Sequence, residues 1–157
     1  MHTITSIGLR SSFANLFGAQ PAALVRAPGR INLIGEHTDY LGLPVVPMAI
    51  QRSVRIALRP RADDFIRVHN TDPQFEPAEF RADAALRPAA AGSWENYLRA
   101  AVITVMRNEP GPWRGCDALV SSDVPVAAGL SSSSALVVAT ALMLLSANDR
   151  SYDPLHL

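Results

Sequence analysis

The sequence predicts one globular domain that mixes α-helices with β-strands, an inference carried by three observations. Apolar residues recur at helical spacing in residues 94–107, where Trp94, Leu98, Ala101, Val102 and Val105 fall on one face, and residues 132–147 form a second, strongly apolar helix. Stretches with β-branched content or strand-like alternation stand at residues 45–58, 65–69 and 117–121. The third observation is size. A chain of 157 residues with 48% in the hydrophobic class can bury roughly 68–70% of the surface it exposes when unfolded, enough for a core without disulfides or a structural metal.

In chain order, residues 11–17 predict a short helix with Phe13 and Phe17 four apart on one face and Gly18 ending it. Pro21 breaks the chain. Residues 23–27 predict a short strand that leads into Pro28-Gly29, residues 45–58 one or two strands, and residues 65–69 another. The stretch 72–91 (DPQFEPAEFRADAALRPAAA) is rich in proline and alanine and predicts irregular connection and strand ends. Ser93 is placed to cap the helix over 94–107, which NEPGPWRG (108–115) terminates. A strand over 117–121, a loop over 122–129 and the helix over 132–147 follow. Asp153-Pro154 is a good helix start, an acid at the cap with proline next, yet only Leu155, His156 and Leu157 stand after it. Since nucleation alone fixes about three residues for one hydrogen bond, the expectation is that the sequence stops inside a larger fold.

Charge and cysteine content narrow the function classes. Fourteen basic and fourteen acidic residues cancel. All the basic residues are scattered arginines, so the chain lacks the electrostatic footprint for nucleic acid or an anionic membrane, and no protein partner is indicated. Cys116 is the lone cysteine, which excludes an internal disulfide framework and a cysteine-rich zinc site; beside Gly115 at a strand start it reads as small core filler. A reducing, cytoplasmic setting is expected. The first residues, MHTITSIGLRSSF, lack the charged start and apolar run of a secretory signal. The most apolar window, 135–145, is shorter than the ~20 residues a spanning helix needs and reads as a buried core helix.

Two segments carry chemistry. Residues 26–40, RAPGRINLIGEHTDY, gather Arg30, Asn32, Glu36, His37, Asp39 and Tyr40 around apolar Ile31, Leu33 and Ile34 and the turn-permissive Gly35. Carboxylates and an imidazole in succession offer directional acceptors and donors that fork onto adjacent hydroxyls, as a polyol ligand requires. From the residues alone a divalent-metal site and a plain polar turn after a strand stay open beside it. Residues 124–135, VPVAAGLSSSSA, set small residues and Gly129 before four serines and an apolar helix. Free backbone N–H groups at a helix N-terminus, with the positive end of its dipole, suit phosphate. A serine-rich helix cap is the alternative, and the Gly-Lys-Ser/Thr phosphate motif is absent from a chain without lysine.

Together, the two segments resemble the GHMP kinase superfamily, and the first is very similar to the galactokinase signature P-G-R-[VI]-N-L-I-G-E-H-T-D-Y. The second is similar to the family's phosphate-wrapping P-x-G-x-G-L-S-S-S stretch. FANLFG, VVPMAI, WENYLRAAV and GCDALVSSDVP extend the likeness over roughly residues 11–147. The resemblance implies an α+β fold of the ribosomal protein S5 domain 2-like type, the N-terminal GHMP kinase domain, incomplete at its C-terminus. Within it residues 1–20 lead in, 21–50 hold the sugar-binding motif, and 122–147 hold the ATP phosphate loop and its helix; the family's C-terminal domain is expected to be absent. The implied reaction is phosphorylation of an aldohexose, galactose first, at its C1 hydroxyl, with ATP and Mg2+. Glu36, His37, Thr38 and Asp39 would contact sugar hydroxyls. Arg30, against the alternative of a surface ion pair, would stabilise the transition state between the C1 hydroxyl and the γ-phosphate. Ala127, Ala128, Gly129, Leu130, Ser131, Ser132 and Ser133 would cradle the phosphates, with Ser133 a magnesium ligand. Trp94, Asn96 and Tyr97 look like the family's helix beside the nucleotide, but core packing explains Trp94 and Tyr97 equally well, and they are kept out of the site.

Three departures from the family pattern matter. Leu41-Gly42-Leu43-Pro44 replaces the usual Asn-x-Gly after the tyrosine, which opens the choice of sugar to arabinose or N-acetylgalactosamine. Ala127 stands where the loop normally has glycine, at a cost of order 1 kcal/mol if that position needs a positive φ. The family's glutamate for magnesium and its catalytic aspartate lie further on, whereas Asp149 and Asp153 come too early and in the wrong context. Loss of a general base commonly costs 10²–10⁴-fold, so these 157 residues alone are expected to show negligible kinase activity. A non-catalytic sugar- and nucleotide-sensing relative is the alternative from another class.

Overall fold

The computed structural model describes residues 5–35 and 41–153. It is an α+β arrangement in which helices cover both faces of a sheet. Helix α1 (Ser6–Phe17) precedes strands β1 (Ala23–Ile34), β2 (Val46–Pro60), β3 (Phe65–Asn70) and β4 (Ala78–Arg81). Helix α2 (Glu95–Asn108), strand β5 (Cys116–Ser122) and helix α3 (Ser132–Ala147) follow. Among the described residues the strands run in the order β1-β2-β5-β3-β4; β5 pairs antiparallel with β2 and parallel with β3.

The core sits between the sheet and the α2–α3 pair. Period-two alternation sends Val54, Ile56 and Leu58 of β2, Ile66 and Val68 of β3, and Ala118 and Val120 of β5 to that face, where all are buried. Leu98, Val102 and Val105 of α2 meet them, as the 3.6-residue pattern requires. Helix α3 lies against α2, β1 and β2. Its Ala135, Ala139 and Ala141 allow the close approach, while Met143, Leu144 and Leu145 fill the remaining volume. The apolar window 135–145 is therefore a core helix, and no helix of the described residues is long and apolar enough to cross a membrane. Cys116 is fully buried as core filler, and burial together with the neighbouring Asp117 pushes its thiol up to about 12, far from nucleophilic use.

On the other face α1 seals a smaller cluster in which Leu9 and Phe13 meet Ala57 and Leu119. This helix starts earlier than its predicted first residue, Ser11. The Thr5 hydroxyl accepts from the Gly8 N–H and caps it, and Leu9, one turn before Phe13, extends the same buried face. Gly18 ends it in the left-handed conformation at φ 69°, as expected.

The strand expected to end before Pro28-Gly29 instead runs on to Ile34. Proline is tolerated there because β1 occupies the sheet edge, where a missing N–H breaks no second ladder. The 45–58 region is one strand, β2, and it carries a bulge: Pro28 pairs with Ser53 and Arg30 with Ala49, so Gly29 alone faces residues 50–52. The 72–91 stretch holds a regular element after all. In β4 Ala78 and Phe80 point into the core, while Glu79 and Arg81 point out. Ser93 does accept a hydrogen bond from Glu95 N, at 3.3 Å, at the start of α2. Asp153 lies outside regular structure, and residues 154–157, on which the expected helix start depends, lie outside the described residues.

Candidate functional site

The loop between β5 and α3 has the backbone of an anion cradle. Ala127, Gly129 and Ser131 all have positive φ, at 56°, 70° and 56°, while Ala128 and Leu130 between them do not. Such alternation turns successive N–H groups toward one concavity. Ser131 precedes α3 in the left-handed conformation and makes no side-chain capping bond. The helix thus begins with its first-turn N–H donors left for another acceptor. The serine-rich sequence is not the self-capping arrangement that serine usually supplies.

The positive φ at Ala127 meets the condition set for it by the sequence. An L-residue pays about 1–2 kcal/mol in this region, against the ~0.5–1 kcal/mol of extra chain entropy that glycine loses on folding. Ala127→Gly is therefore expected to stabilise the chain slightly, raising Tm by about 1–3 °C. A lower midpoint in a calorimetric scan would contradict this account of the loop.

The loop stem is pinned to β2. Asp123 is buried; its carboxylate accepts the Ser53 N–H at 2.6 Å and the Arg55 guanidinium at 3.1 Å. Burial pushes its carboxyl upward, but the Ser53 N–H and Arg55 outweigh this and hold it below the usual carboxylate range. The far end of the loop is pinned to β1, where Arg30 N donates to the Leu130 carbonyl at 3.2 Å. The two chemistry-bearing segments, a hundred residues apart in sequence, are thus joined directly. Gly29 makes room for the contact: a Cβ there would lie 2.8 Å from the Leu130 oxygen and 3.2 Å from Val124 Cγ1. Arg30 itself is exposed on β1 next to the loop. Glu36, His37, Thr38 and Asp39 lie outside the described residues.

A cavity of about 500 Å³ opens over the loop. Residues 126–134, which include all seven predicted phosphate-loop positions, form one wall; Asn70, Phe75, Trp94 and Tyr97 form part of the other. Trp94, left out of the predicted site, is therefore a wall residue. Its ring packs on Phe75 at 5.6 Å between centroids, and its indole N–H donates to the Glu76 carbonyl at 2.9 Å. Asn96 serves the scaffold instead, holding residues 89 and 90 through its side-chain amide. Among the described residues no group of three or more His, Cys, Asp or Glu side chains converges as a metal site. Ser133, on the cavity wall, offers one oxygen, which suits Mg2+ arriving with phosphate and water ligands of its own.

A model of the galactokinase galactose-binding signature matches residues 11–60, and one of the GHMP kinases N terminal domain matches residues 96–157. The galactokinase of Roseiflexus sp. (strain RS-1) is 47% identical over 133 residues, 85% of this chain and 33% of that protein. The galactokinase of Chloroflexus aggregans is 43% identical over 129 residues, 82% of this chain and 32% of that protein. The chain spans about a third of the length of these curated relatives. Among solved structures, Lactococcus lactis galactokinase complexed with galactose superposes with a TM-score of 0.80 at 29% identity, covering 95% of this chain and 39% of that one. Methanococcus jannaschii mevalonate kinase shares the fold, with a TM-score of 0.70 at 20% identity over 83% of this chain and 42% of that one. The left-handed loop and the helix it feeds fall within the part of the chain that matches the GHMP kinases N terminal domain. The similarity to galactokinases spans most of this chain and about a third of theirs.

Proposed function

We propose that the chain supplies the sugar- and phosphate-binding half of a galactokinase, which transfers the γ-phosphoryl group of ATP to the C1 hydroxyl of galactose in the cytoplasm. The carrying observation is the 3.2 Å hydrogen bond between Arg30 N and the Leu130 carbonyl, which sets the sugar-binding strand against the phosphate loop. Residues 127–133 would receive the ATP phosphates on backbone N–H groups, with Trp94 and Phe75 flanking the base. Glu36, His37, Thr38 and Asp39 would hold the sugar hydroxyls. In the reaction the C1 oxygen bonds to the γ-phosphorus as the bond to the bridging oxygen of ADP breaks. Arg30 would fork onto the phosphoryl oxygens as charge spreads over them. Mg2+, with Ser133 as its protein ligand, would neutralise phosphate charge when bound. The hydroxyl proton needs a base, which the resemblance places beyond the phosphate loop.

The test is calorimetric titration of the chain with Mg-ADP and with galactose, alongside a coupled assay for ADP release. Binding of both ligands with negligible turnover is expected. Absence of nucleotide binding, or turnover matching a full-length homologue, would refute the proposal. Leu41-Gly42-Leu43-Pro44, exposed beside the sugar segment, favours a second reading in which another sugar such as arabinose or N-acetylgalactosamine is preferred; titrating a panel of sugars separates the two.

A further inference from the structure

Asp123 is not itself a lining residue of the cavity, though Ser122 and Val124 on either side of it are, and it joins β2 through four hydrogen bonds. Its two carboxylate oxygens take the Ser53 N–H and the Arg55 guanidinium, its own N–H donates to the Ser53 carbonyl at 3.3 Å, and its carbonyl accepts from Arg52 at 3.0 Å. Arg52 sits in the irregular stretch at residues 50–52, and from there its guanidinium reaches the Asp123 carbonyl. At the other end of the loop the Leu130 carbonyl holds Arg30 N. Between these anchors, among the described residues, no hydrogen bond ties the backbone of 125–129 to another element. Among the described residues, the hydrogen bonds that hold the cradle to β1 and β2 thus lie at its two ends.

We infer that Asp123 is a positioning residue: by clamping the loop stem to the bulge of β2 it keeps the phosphate cradle in register with Arg30. The inference rests on the nucleotide reading of the cleft. A carboxylate is required because its two oxygens serve two different donors at once. Asparagine has one acceptor oxygen and keeps one of them; alanine keeps neither and leaves the Ser53 N–H without an acceptor in a residue that is fully buried. With the stem released, the loop pivots on the Leu130 contact, and its N–H groups lose their fixed position beside Arg30.

The experiment compares Mg-ADP affinity and thermal stability for the whole chain and for Asp123→Asn, Asp123→Ala and Arg52→Ala. Arg52 is exposed and its side chain joins the clamp, among the described residues, through the Asp123 carbonyl, so its variant folds even if Asp123→Ala does not. Measured well below each variant's Tm, the Kd of Asp123→Asn is expected to rise roughly tenfold, the loss that one charge-assisted hydrogen bond represents. Arg52→Ala is expected to weaken binding less and Asp123→Ala more. A clamp that served stability only would lower Tm and leave Kd unchanged in folded variants, and that result overturns the inference while the nucleotide reading stands. A chain that binds no Mg-ADP before any substitution overturns both.

Discussion

Gly115→Ala is expected to abolish stable folding. A Cβ at this position would sit 1.9 Å from the Phe65 carbonyl oxygen and 2.3 Å from its carbon, and both are backbone atoms that no rotamer can move aside. The glycine is also held from both sides. Its N–H donates to the Asp63 carbonyl at 2.7 Å, and its carbonyl accepts from Arg61 N at 2.9 Å. It therefore ties the β2–β3 connection to the start of β5, just where the parallel pairing of Ile66 with Cys116 begins. Relief requires that β3 and β5 separate at that end of the sheet. A loss above about 4 kcal/mol is expected, close to the whole margin of roughly 5–15 kcal/mol that a domain possesses. Urea denaturation followed by circular dichroism measures it, and a midpoint within experimental error of the parent would contradict the packing described.

Gly29→Ala should act on binding more than on folding. Its new methyl group would meet the Leu130 carbonyl oxygen at 2.8 Å, Ile50 Cδ1 at 3.1 Å and Val124 Cγ1 at 3.2 Å. The isoleucine can turn away; the carbonyl can yield only if the phosphate loop moves off β1 and stretches the bond to Arg30 N. Overpacking of this kind costs about 1–3 kcal/mol, which a folded chain survives. The displaced cradle is expected to weaken Mg-ADP binding by at least about tenfold, 1.4 kcal/mol or more. Titration of the folded variant decides the matter: affinity equal to the parent chain would mean that the Gly29–Leu130 contact does not position the loop.

What could be read from the sequence follows the range of the interactions involved. Helix α3 and the loop before it were legible because their chemistry is local. Gly129, the serines and the apolar run that follows state the turn, the helix start and the buried helix within a dozen residues. The strain at Ala127 was legible too, as a missing glycine. Strand β4 was not, because its inward Ala78 and Phe80 are too few to show alternation between Pro77 and the alanine-rich stretch beyond. The continuation of β1 through Pro28 depended on β1 being an edge strand, a fact of topology and not of composition. The far wall of the cavity was out of reach for a similar reason. Asn70 and Phe75 belong to no motif and meet the phosphate loop only because β3 lies beside β5. Trp94 carried a signal, a large aromatic at the first turn of a helix, but the core and a ligand cleft ask for the same residue there.

On the proposed function, strand β2 acts as a ruler between the two proposed binding segments. Its first residues, up to Ala49, carry the arm of β1 that holds Arg30 and leads to the sugar segment; its last, from Val54 to Pro60, carry β5, from which the phosphate loop springs. Side-chain replacements along it leave that length alone. Insertion or deletion of two residues near the bulge would slide one binding segment past the other by about 6–7 Å, at the ~3.3 Å rise of a strand residue. That distance exceeds the near 3 Å approach a transferring phosphoryl group needs. Variation in this part of the molecule is therefore constrained in length far more tightly than in composition.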